Sequence, residues 1–521
     1  MITTLDVAVL VVYLVGVAIF GIVAGGRQKS GTDYFLGGRD LPWWAITFSI
    51  VATETSTLTV IGIPAVAYLG GVAFFQLTLG YLLGRIGVAL LFVPRYFDGT
   101  LVSAYGLLGR RFGNRMRVTA SVTFMGTRLL ADGVRLFAGA IPIKVIAQTA
   151  GWSLSYFEII LAIGIVTIAY TYVGGLKAVI WMDVVQMVVY VGGALLAVVL
   201  LLGQVDGTAV AEVLGSDKGR IFVWGADLSF SEWLTQPYTF ITAIVGGAIF
   251  SMASHGTDQL IVQRILACRN ERESRLAIVS SALLVMLQFG LFLFVGLLLW
   301  VYYGQVYDGQ ATLSDLGLTR GDEVLPKFIV EGMPSGVAGL LIAGILAAAM
   351  STLSSSLNAL ASTSVSDIYE RFKSNLSETE VLKVSRIFTL IWGLVFIAFA
   401  NMFEDQTGPV VELGLAIASF TYGGLLGAFL LGILSKRARE LDALISFVVA
   451  IAFMVWVIFG VWYSQEMQAW VFDFYPSAAA IAELGLRGIA WPWYTAIGAA
   501  VLLLSNGIVR VLIPDRLSRS T

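Results

Sequence analysis

The sequence predicts an all-α, polytopic membrane protein with about 13 transmembrane helices. Three observations lead to this fold class. The 521 residues are 58% hydrophobic and only 13% charged, whereas soluble proteins carry about 25% charged residues. Apolar runs long enough to cross about 30 Å of hydrocarbon recur along the whole chain. Basic residues alternate between successive connections, as they do in proteins that cross a membrane many times.

The apolar runs give the spans in order. The first run follows MITTLD, which has no basic segment, and precedes Arg27 and Lys29. We therefore interpret it as a retained helix and not as a signal peptide. The predicted spans are 5–26, 43–70, 72–94, 118–148, 153–173, 178–203, 236–263, 276–303, 336–368, 387–403, 410–434, 441–463 and 490–512.

Basic residues indicate the side of the membrane on which each connection lies. Every second connection, beginning with 27–42, and the C-terminal segment together hold most of the 32 basic residues, among them Arg264. The longer opposite connections hold only Lys218, Arg220, Arg320, Lys327 and Arg487. The positive-inside rule then predicts a multi-pass protein of the cell membrane, with its N-terminus outside and its C-terminus in the cytoplasm.

The composition argues against several kinds of chemistry. A single cysteine, Cys268, permits neither an intrachain disulfide nor a multi-cysteine metal site. A single histidine, His255, argues against histidine-ligated metals and Ser-His-Asp hydrolysis, and we expect it to be a packing residue. Only scattered acids lie in the spans, so we do not expect an enzyme. We also expect no cofactor and no nucleic-acid partner. The lipid bilayer is the expected environment, and a monomer is compatible with it.

Two sets of five spans follow the same pattern. Each set has an unusually long third span and a polar interruption in its first span, ATETST at 52–57 and SHGTDQ at 254–259. An odd number of spans inverts the second set relative to the first, and interrupted helices at matching places indicate a transport site at the membrane midplane. Non-helical backbone is tolerated there because it lines a cavity. The expected parts of the single domain 1–521 are an extra helix 5–26, repeats 43–203 and 236–434, and two additional helices within 441–512.

The segment LAAAMSTLSSSLNALA at 346–361 lies within a long apolar run that can span a membrane, yet it contains many side-chain oxygens. Ala348, Ser351, Thr352, Ser355 and Asn358 fall along one stripe of a 3.6-residue helix. One interpretation is close helix packing, with serines bonded to their own backbone carbonyls. We favour the other, a cage of neutral oxygens for a monovalent cation, because the stripe faces a helix with an unwound segment.

Three longer segments occur together in one order. They are YVGGLKAVIWMDVVQ at 172–186, GTDQLIVQR at 256–264 and AAAMSTLSSSLNALASTSVSDIY at 347–369, the last preceded by P-x-G-x-x-G-L at 334–340. On these segments the chain resembles the sodium/solute symporter family, relatives of the sodium/glucose, sodium/proline and sodium/iodide transporters, over residues 5–434. The resemblance implies a five-plus-five inverted repeat, alternating access, and uptake of a solute driven by the sodium gradient.

The resemblance also implies the residues that bind sodium as the coupling ion. One site would use the carbonyls of Ala52, Thr55 and Ala348 with the hydroxyls of Ser351 and Thr352. A second site, present in some members of the family, would use Asp183, Ser354 and Ser355. For Asp183 a structural alternative remains, a salt bridge to Lys177.

Candidate contacts to the solute lie mainly around the two breaks. Glu54 lies in the first break, and a carboxylate inside the membrane is functional by default. It either contacts the ion or a substrate ammonium, or it makes a structural bond. The other candidates are Ser56, Thr57, Phe75, Gln76, Arg135, Asp258 and Gln259.

The spacing of Arg128, Asp132 and Arg135 leaves two interpretations open. At i, i+4 and i+7 they form either a salt-bridge ladder within one helix or an unpaired arginine that holds a carboxylate bidentately. We expect a small organic solute with a carboxylate, an amine or both, such as an amino acid or a monocarboxylate. The first break lacks the neutral amides of the family's sugar transporters, which disfavours a hexose. A sugar or vitamin substrate and a transporter-like membrane sensor remain alternatives, and the sensor is disfavoured because no soluble domain follows Pro514.

Overall fold

The computed structural model describes residues 2–99, 101–149, 151–307, 309, 311–373, 376–402 and 410–512. The helices are α1 (Thr4–Gly25), α2 (Gly31–Leu36), α3 (Trp43–Glu54), α4 (Thr57–Gly70), α5 (Gln76–Leu91), α6 (Val93–Phe97), α7 (Tyr105–Phe112), α8 (Asn114–Thr149), α9 (Tyr156–Leu202), α10 (Gly207–Gly215), α11 (Phe230–Thr235), α12 (Gly247–Gly256), α13 (Gln259–Leu266), α14 (Glu271–Val306), α15 (Val324–Gly332), α16 (Val337–Thr363), α17 (Glu370–Phe372), α18 (Glu378–Ala400), α19 (Val410–Leu434), α20 (Glu440–Gly460), α21 (Ala478–Glu483) and α22 (Pro492–Leu512). The strands are β1 (Val461–Ser464), β2 (Ala469–Phe472) and β3 (Leu486–Gly488).

The predicted all-α membrane fold is confirmed. Within the described residues, eight helices are long and apolar enough to cross a membrane, and the bent pair α3 and α4 gives a ninth span. One of the eight, α9, joins the predicted spans 153–173 and 178–203. Gly175 interrupts α9 with a φ of 56°, and a Cβ at this position would lie 2.5 Å from the carbonyl oxygen of Tyr34. Glycine is therefore required here both for the backbone angle and for the close contact.

Both predicted helix breaks are present. The first lies between Glu54 and Thr57, where Thr55 and Ser56 adopt extended backbone angles and α3 and α4 meet at 65°. The second lies between Gly256 and Gln259. At both places the polar side chains that interrupted the apolar pattern coincide with the loss of helical backbone bonds.

The chain folds into two compact units. The first comprises Met1–Phe75, Arg128–Ile221 and Gln263–Gly414. Helix α16 lies at its centre, because every residue from 341 to 363 is buried. It packs against α9, α1, α18, α3 and α4. The hydroxyl-rich stripe predicted on this helix is therefore enclosed by protein and does not face lipid.

The first helix is fastened to α16 through Asp6. The buried Asp6 carboxylate accepts bonds from the amides of Gly336 (2.7 Å) and Gly339 (2.8 Å) at the start of α16. It also accepts bonds from the amide and hydroxyl of Thr3, at 2.8 and 2.7 Å. A carboxylate at a helix N-terminus satisfies amides that have no partner within the helix. One side chain thus caps two helices.

Replacing Asp6 with Asn should lower the thermal stability, because an amide oxygen is uncharged and accepts fewer bonds from the four donors. We expect a loss of about 1–2 kcal/mol, observed as a lower melting temperature of the purified protein in detergent. Glu158→Gln is the matched control, since Glu158 caps its own helix through Ser155. Equal decreases in the two variants would contradict the interhelical role of Asp6.

The second unit comprises Gln76–Thr127, Phe222–Val262 and Leu415–Thr521. Within it α5 packs against α12, and α20 packs against α22. The connection expected at 464–489 contains an antiparallel sheet in the order β2-β1-β3. Helix α20 ends at Gly460, slightly earlier than the predicted span, because the chain there continues into β1.

Candidate functional site

The first break and the centre of α16 share hydrogen bonds in the first unit. The Ser351 hydroxyl lies 3.2 Å from the Ala52 carbonyl oxygen and 2.6 Å from Asp183 Oδ1, and it can donate its proton to either. The Thr352 hydroxyl donates to the Ala348 carbonyl at 3.2 Å. Four of the five predicted sodium ligands are therefore in contact as two pairs, Ser351 with Ala52 and Thr352 with Ala348.

The fifth predicted ligand, Thr55, lies in the break itself. Its hydroxyl donates to the Val51 carbonyl (2.8 Å) and accepts a bond from Gln288 Nε2 (2.6 Å), which holds the extended segment in place. Carbonyl groups at the C-terminal end of a half-helix carry partial negative charge and are suited to a cation. The assignment of these five oxygens to sodium stays a prediction.

Asp183 lies at the centre of a second, fully buried polar cluster. Its Oδ2 accepts bonds from the Ser49 hydroxyl (2.5 Å) and from Arg264 Nη2 (3.0 Å), and both partners of the ion pair are 0% exposed. Its Oδ1 lies 2.6 Å from the Ser351 hydroxyl, which can donate to it. When Ser351 donates to Asp183, the hydroxyl keeps two lone pairs, and the carboxylate fixes their direction. The structural partner of Asp183 is Arg264 and not Lys177.

Arg264 also contacts Ser355, a second residue of the predicted second sodium site. Its Nη2 donates to the Ser355 hydroxyl at 2.5 Å and its Nε donates to Ser49 at 2.7 Å. The Ser354 hydroxyl donates within its own helix, to the Ser351 carbonyl at 3.0 Å. The prediction that Arg264 belongs to a connection between spans is wrong. The residue belongs to α13 and is fully buried.

The ladder interpretation of Arg128, Asp132 and Arg135 agrees with the ion pairs. Asp132 Oδ1 lies 3.4 Å from Arg128 Nη1 and 3.0 Å from Arg135 Nη1. The Ser356 hydroxyl of α16 donates to Asp132 Oδ2 at 2.5 Å. The ladder therefore also ties α8 to the hydroxyl-rich helix.

Arg135 in addition lines a cavity. In this structure the cavity is closed, with no room for a water molecule, and it is lined by Ser56, Thr57, Asp132, Arg135, Leu136, Ala349, Thr352 and Leu353. The Arg135 side chain is 17% exposed, and its Nε is buried without a hydrogen-bond partner. Three of the predicted solute contacts, Ser56, Thr57 and Arg135, are thus brought together beside Thr352, a predicted sodium ligand.

The remaining predicted solute contacts lie elsewhere. Glu54 is the last residue of α3, and Phe75 ends a short 3₁₀ turn before α5. In the second unit, Gln76 donates to the Tyr238 carbonyl (3.0 Å) and Asp258 accepts from the Tyr422 hydroxyl (2.6 Å). Gln259 accepts from the Ala104 amide at 2.7 Å. Their role toward a solute stays a prediction. His255, 3% exposed with Nδ1 2.8 Å from the Ser254 hydroxyl, is packed as expected.

The sequence around Arg264 contains a signal for its burial. The residue is surrounded in the chain by Ile261, Val262, Ile265 and Leu266, and an arginine within an apolar run of a membrane protein faces the protein interior by default. No comparable signal exists for Ser49 and Ser356, because a buried serine in a membrane helix usually bonds to its own backbone.

The fold and the site define a class of protein. Discontinuous helices in corresponding spans of two repeated sets are typical of secondary transporters, and here one of the two breaks adjoins the buried hydroxyl-rich helix. The family model of the sodium:solute symporter family matches residues 34–450. The chain therefore belongs to the sodium:solute symporter family, and Na⁺ is its coupling ion.

Individual relatives agree with this membership. The sodium/sialic acid symporter NanT of Aliivibrio fischeri is 32% identical, over 87% of this chain and 88% of that protein. The human sodium/iodide cotransporter is 30% identical, over 87% of this chain and 69% of that protein. A solved structure, the substrate-bound outward-open state of a Na⁺-coupled sialic acid symporter, is 28% identical and superposes with a TM-score of 0.81, covering 98% of both chains.

Proposed function

We propose that this protein imports a carboxylated organic solute by sodium symport, and that the particular solute is sialic acid. The observation that carries the proposal is that Arg135 lies beside Thr352 along this closed cavity, which has to widen before a solute can enter. One wall offers a guanidinium to an anion, and the neighbouring wall belongs to the helix that provides the predicted sodium ligands. The solute would then be bound by α8 and the first break, directly beside the ion ligands of α16, and such contact between the two sites is what coupling requires.

The Arg135 guanidinium supports an anionic solute, and the Asp132 carboxylate that also lines the cavity is paired with Arg128 and Arg135. The Arg135 guanidinium is planar and has five donors, of which one bonds to Asp132 in the ladder. A carboxylate bound to the remaining donors would form charge-assisted bonds, about twice as strong as neutral ones. Ser56 and Thr57 add hydroxyl groups along the same cavity and are suited to the hydroxyls of a sugar acid.

The relatives favour sialic acid over the solutes expected from the sequence. A relative and a solved structure that match most of this chain are named for sialic acid, and a second relative is named for iodide. Sialic acid is a sugar acid and iodide is an anion, so negative charge is shared by these solutes. We therefore place sialic acid before an amino acid or a monocarboxylate, and a cationic amine has the weakest support.

Several further features belong to the same proposal. Sodium would bind to the carbonyls of Ala52, Thr55 and Ala348 and to the hydroxyls of Ser351 and Thr352. A second ion would use Asp183, Ser354 and Ser355, which gives two sodium ions per solute. The repeats 43–203 and 236–434 would alternate access in a monomer that carries no enzymatic activity. The basic connections support a cytoplasmic C-terminus and an external N-terminus.

Uptake into proteoliposomes tests the proposed function. With an inward sodium gradient, radiolabelled sialic acid should accumulate, and replacing external sodium with potassium should abolish the accumulation. An amino acid and a monocarboxylate supplied under the same gradient serve as controls for the solute. Accumulation of either without sialic acid would contradict the particular solute, and accumulation that does not depend on sodium would contradict the mechanism.

A further inference from the structure

Arg264 is hydrogen-bonded to the oxygens that a second sodium ion would need as ligands. Its Nη2 lies 3.0 Å from Asp183 Oδ2 and 2.5 Å from the Ser355 hydroxyl oxygen. Both oxygens belong to the predicted second sodium site. All of these side chains are 0% exposed, so water does not screen the charges from one another.

We propose that Arg264 is a tethered cation that competes with sodium for Asp183 and Ser355, and so sets the sodium affinity of the second site. The inference rests on the proposed second site and adds the residue that regulates it. Sodium can bind Asp183 Oδ2 and Ser355 only after the guanidinium has moved away from them, because two cations repel each other at a single unscreened carboxylate.

The same arrangement explains how the ion can leave. A buried carboxylate without a counter-charge is strongly unfavourable, so a site made only of Asp183 and serines would retain its sodium. Arg264 supplies the counter-charge when the ion departs. The Arg264 Nε also donates to the Ser49 hydroxyl at 2.7 Å. Because this bond uses neither Asp183 Oδ2 nor the Ser355 hydroxyl, it can hold the arginine nearby while sodium binds and leaves. The Asp183 carboxylate is then never left without a positive charge beside it.

Competition has a measurable consequence for the apparent affinity. When a ligand binds only a fraction of the conformations, its apparent affinity falls by that fraction. Removing the competing charge should therefore strengthen sodium binding at the second site, although it also removes hydrogen bonds that support the fold. If Arg264 were merely structural, its removal would lower the stability of the protein and leave the dependence on sodium unchanged.

The test compares wild type with Arg264→Gln, Arg264→Lys and the double variant Asp183→Asn/Arg264→Gln. Each protein is purified without solute, and its melting temperature is measured against sodium concentration, with potassium keeping the ionic strength constant. We expect Arg264→Gln to need roughly tenfold less sodium for half of its stabilisation and to respond more steeply. Arg264→Lys keeps a cation and should resemble wild type, and the double variant should lose the added response.

The outcomes separate this inference from the proposed function. A sodium dependence of Arg264→Gln identical to that of wild type overturns the role of Arg264 and leaves sodium coupling intact. If Arg264→Gln is too unstable to titrate, sodium must rescue its folding better than potassium does, and equal instability in both salts likewise overturns the inference. If wild type itself melts identically in sodium and potassium, the proposed sodium sites fail and the inference fails with them.

Discussion

Replacing Arg135 with Gln should raise the solute concentration for half-maximal uptake by roughly 10- to 100-fold. Charged hydrogen bonds contribute about 1.5–3 kcal/mol each, and glutamine retains donors but cannot neutralise a carboxylate. Sodium dependence should change much less, because Arg135 lines the cavity and is not among the predicted ion ligands. The measurement is uptake of labelled sialic acid into proteoliposomes at saturating sodium.

Arg128→Gln is the matched control for this prediction. Arg128 is paired with the same carboxylate, Asp132, at 3.4 Å, but it does not line the cavity. Loss of either arginine removes one partner of Asp132, and only loss of Arg135 removes a donor from the cavity. Equal increases in the two variants would mean that both arginines act through Asp132 and that neither binds the solute.

Replacing Ser351 with Ala should raise the sodium concentration for half-maximal uptake about tenfold, in line with the loss of one hydrogen-bonding oxygen of about 1–1.5 kcal/mol. Ser351 lies between the Ala52 carbonyl and Asp183, so its hydroxyl would belong to the first sodium site and border the second. Thr352→Ala should alter both the sodium and the solute dependence, because Thr352 also lines the cavity. Thr352→Ser keeps the hydroxyl and should remain close to wild type.

Ser366→Ala controls for the loss of a buried hydroxyl in the same region. The Ser366 hydroxyl donates to the Ser362 carbonyl, within its own helical segment, at 2.8 Å. Its removal should leave sodium dependence unchanged. The experiment is a sodium titration of uptake at saturating solute for each variant. If Ser351→Ala titrates like Ser366→Ala, Ser351 is a packing residue and the first sodium site must be placed elsewhere.

The parts of the site whose residues lie close together in the sequence could be predicted. The stripe of Ser351, Thr352 and Ser355 follows from helical periodicity alone, and the breaks follow from polar residues inside apolar runs. The spacing of Arg128, Asp132 and Arg135 likewise allows an ion-pair ladder on one helix. In each case the interacting atoms are separated by few residues, so the helix itself fixes their geometry.

Contacts between distant segments could not be predicted in this way. Arg264 looked like one more basic residue near a cytoplasmic connection, and Asp183 had Lys177 as a plausible neighbour. Which cation reaches a buried carboxylate depends on where packing places Arg264 relative to α9 and α16, and periodicity carries no information about that. The cavity that joins Arg135 to Thr352 has the same origin, since its lining comes from the first break, α8 and α16.

The membrane class, the two breaks and the hydroxyl-rich helix can be predicted from the amino-acid sequence alone. These depend on hydrophobicity and local backbone preference, which are written into neighbouring residues. The packing of the helices, in contrast, determines which distant groups pair with the buried charges: Arg264 with Asp183, and the amides of α16 with Asp6. A charge buried away from water must find an opposite charge or donors wherever the packing of helices brings them, and those partners lie up to hundreds of residues away in the chain.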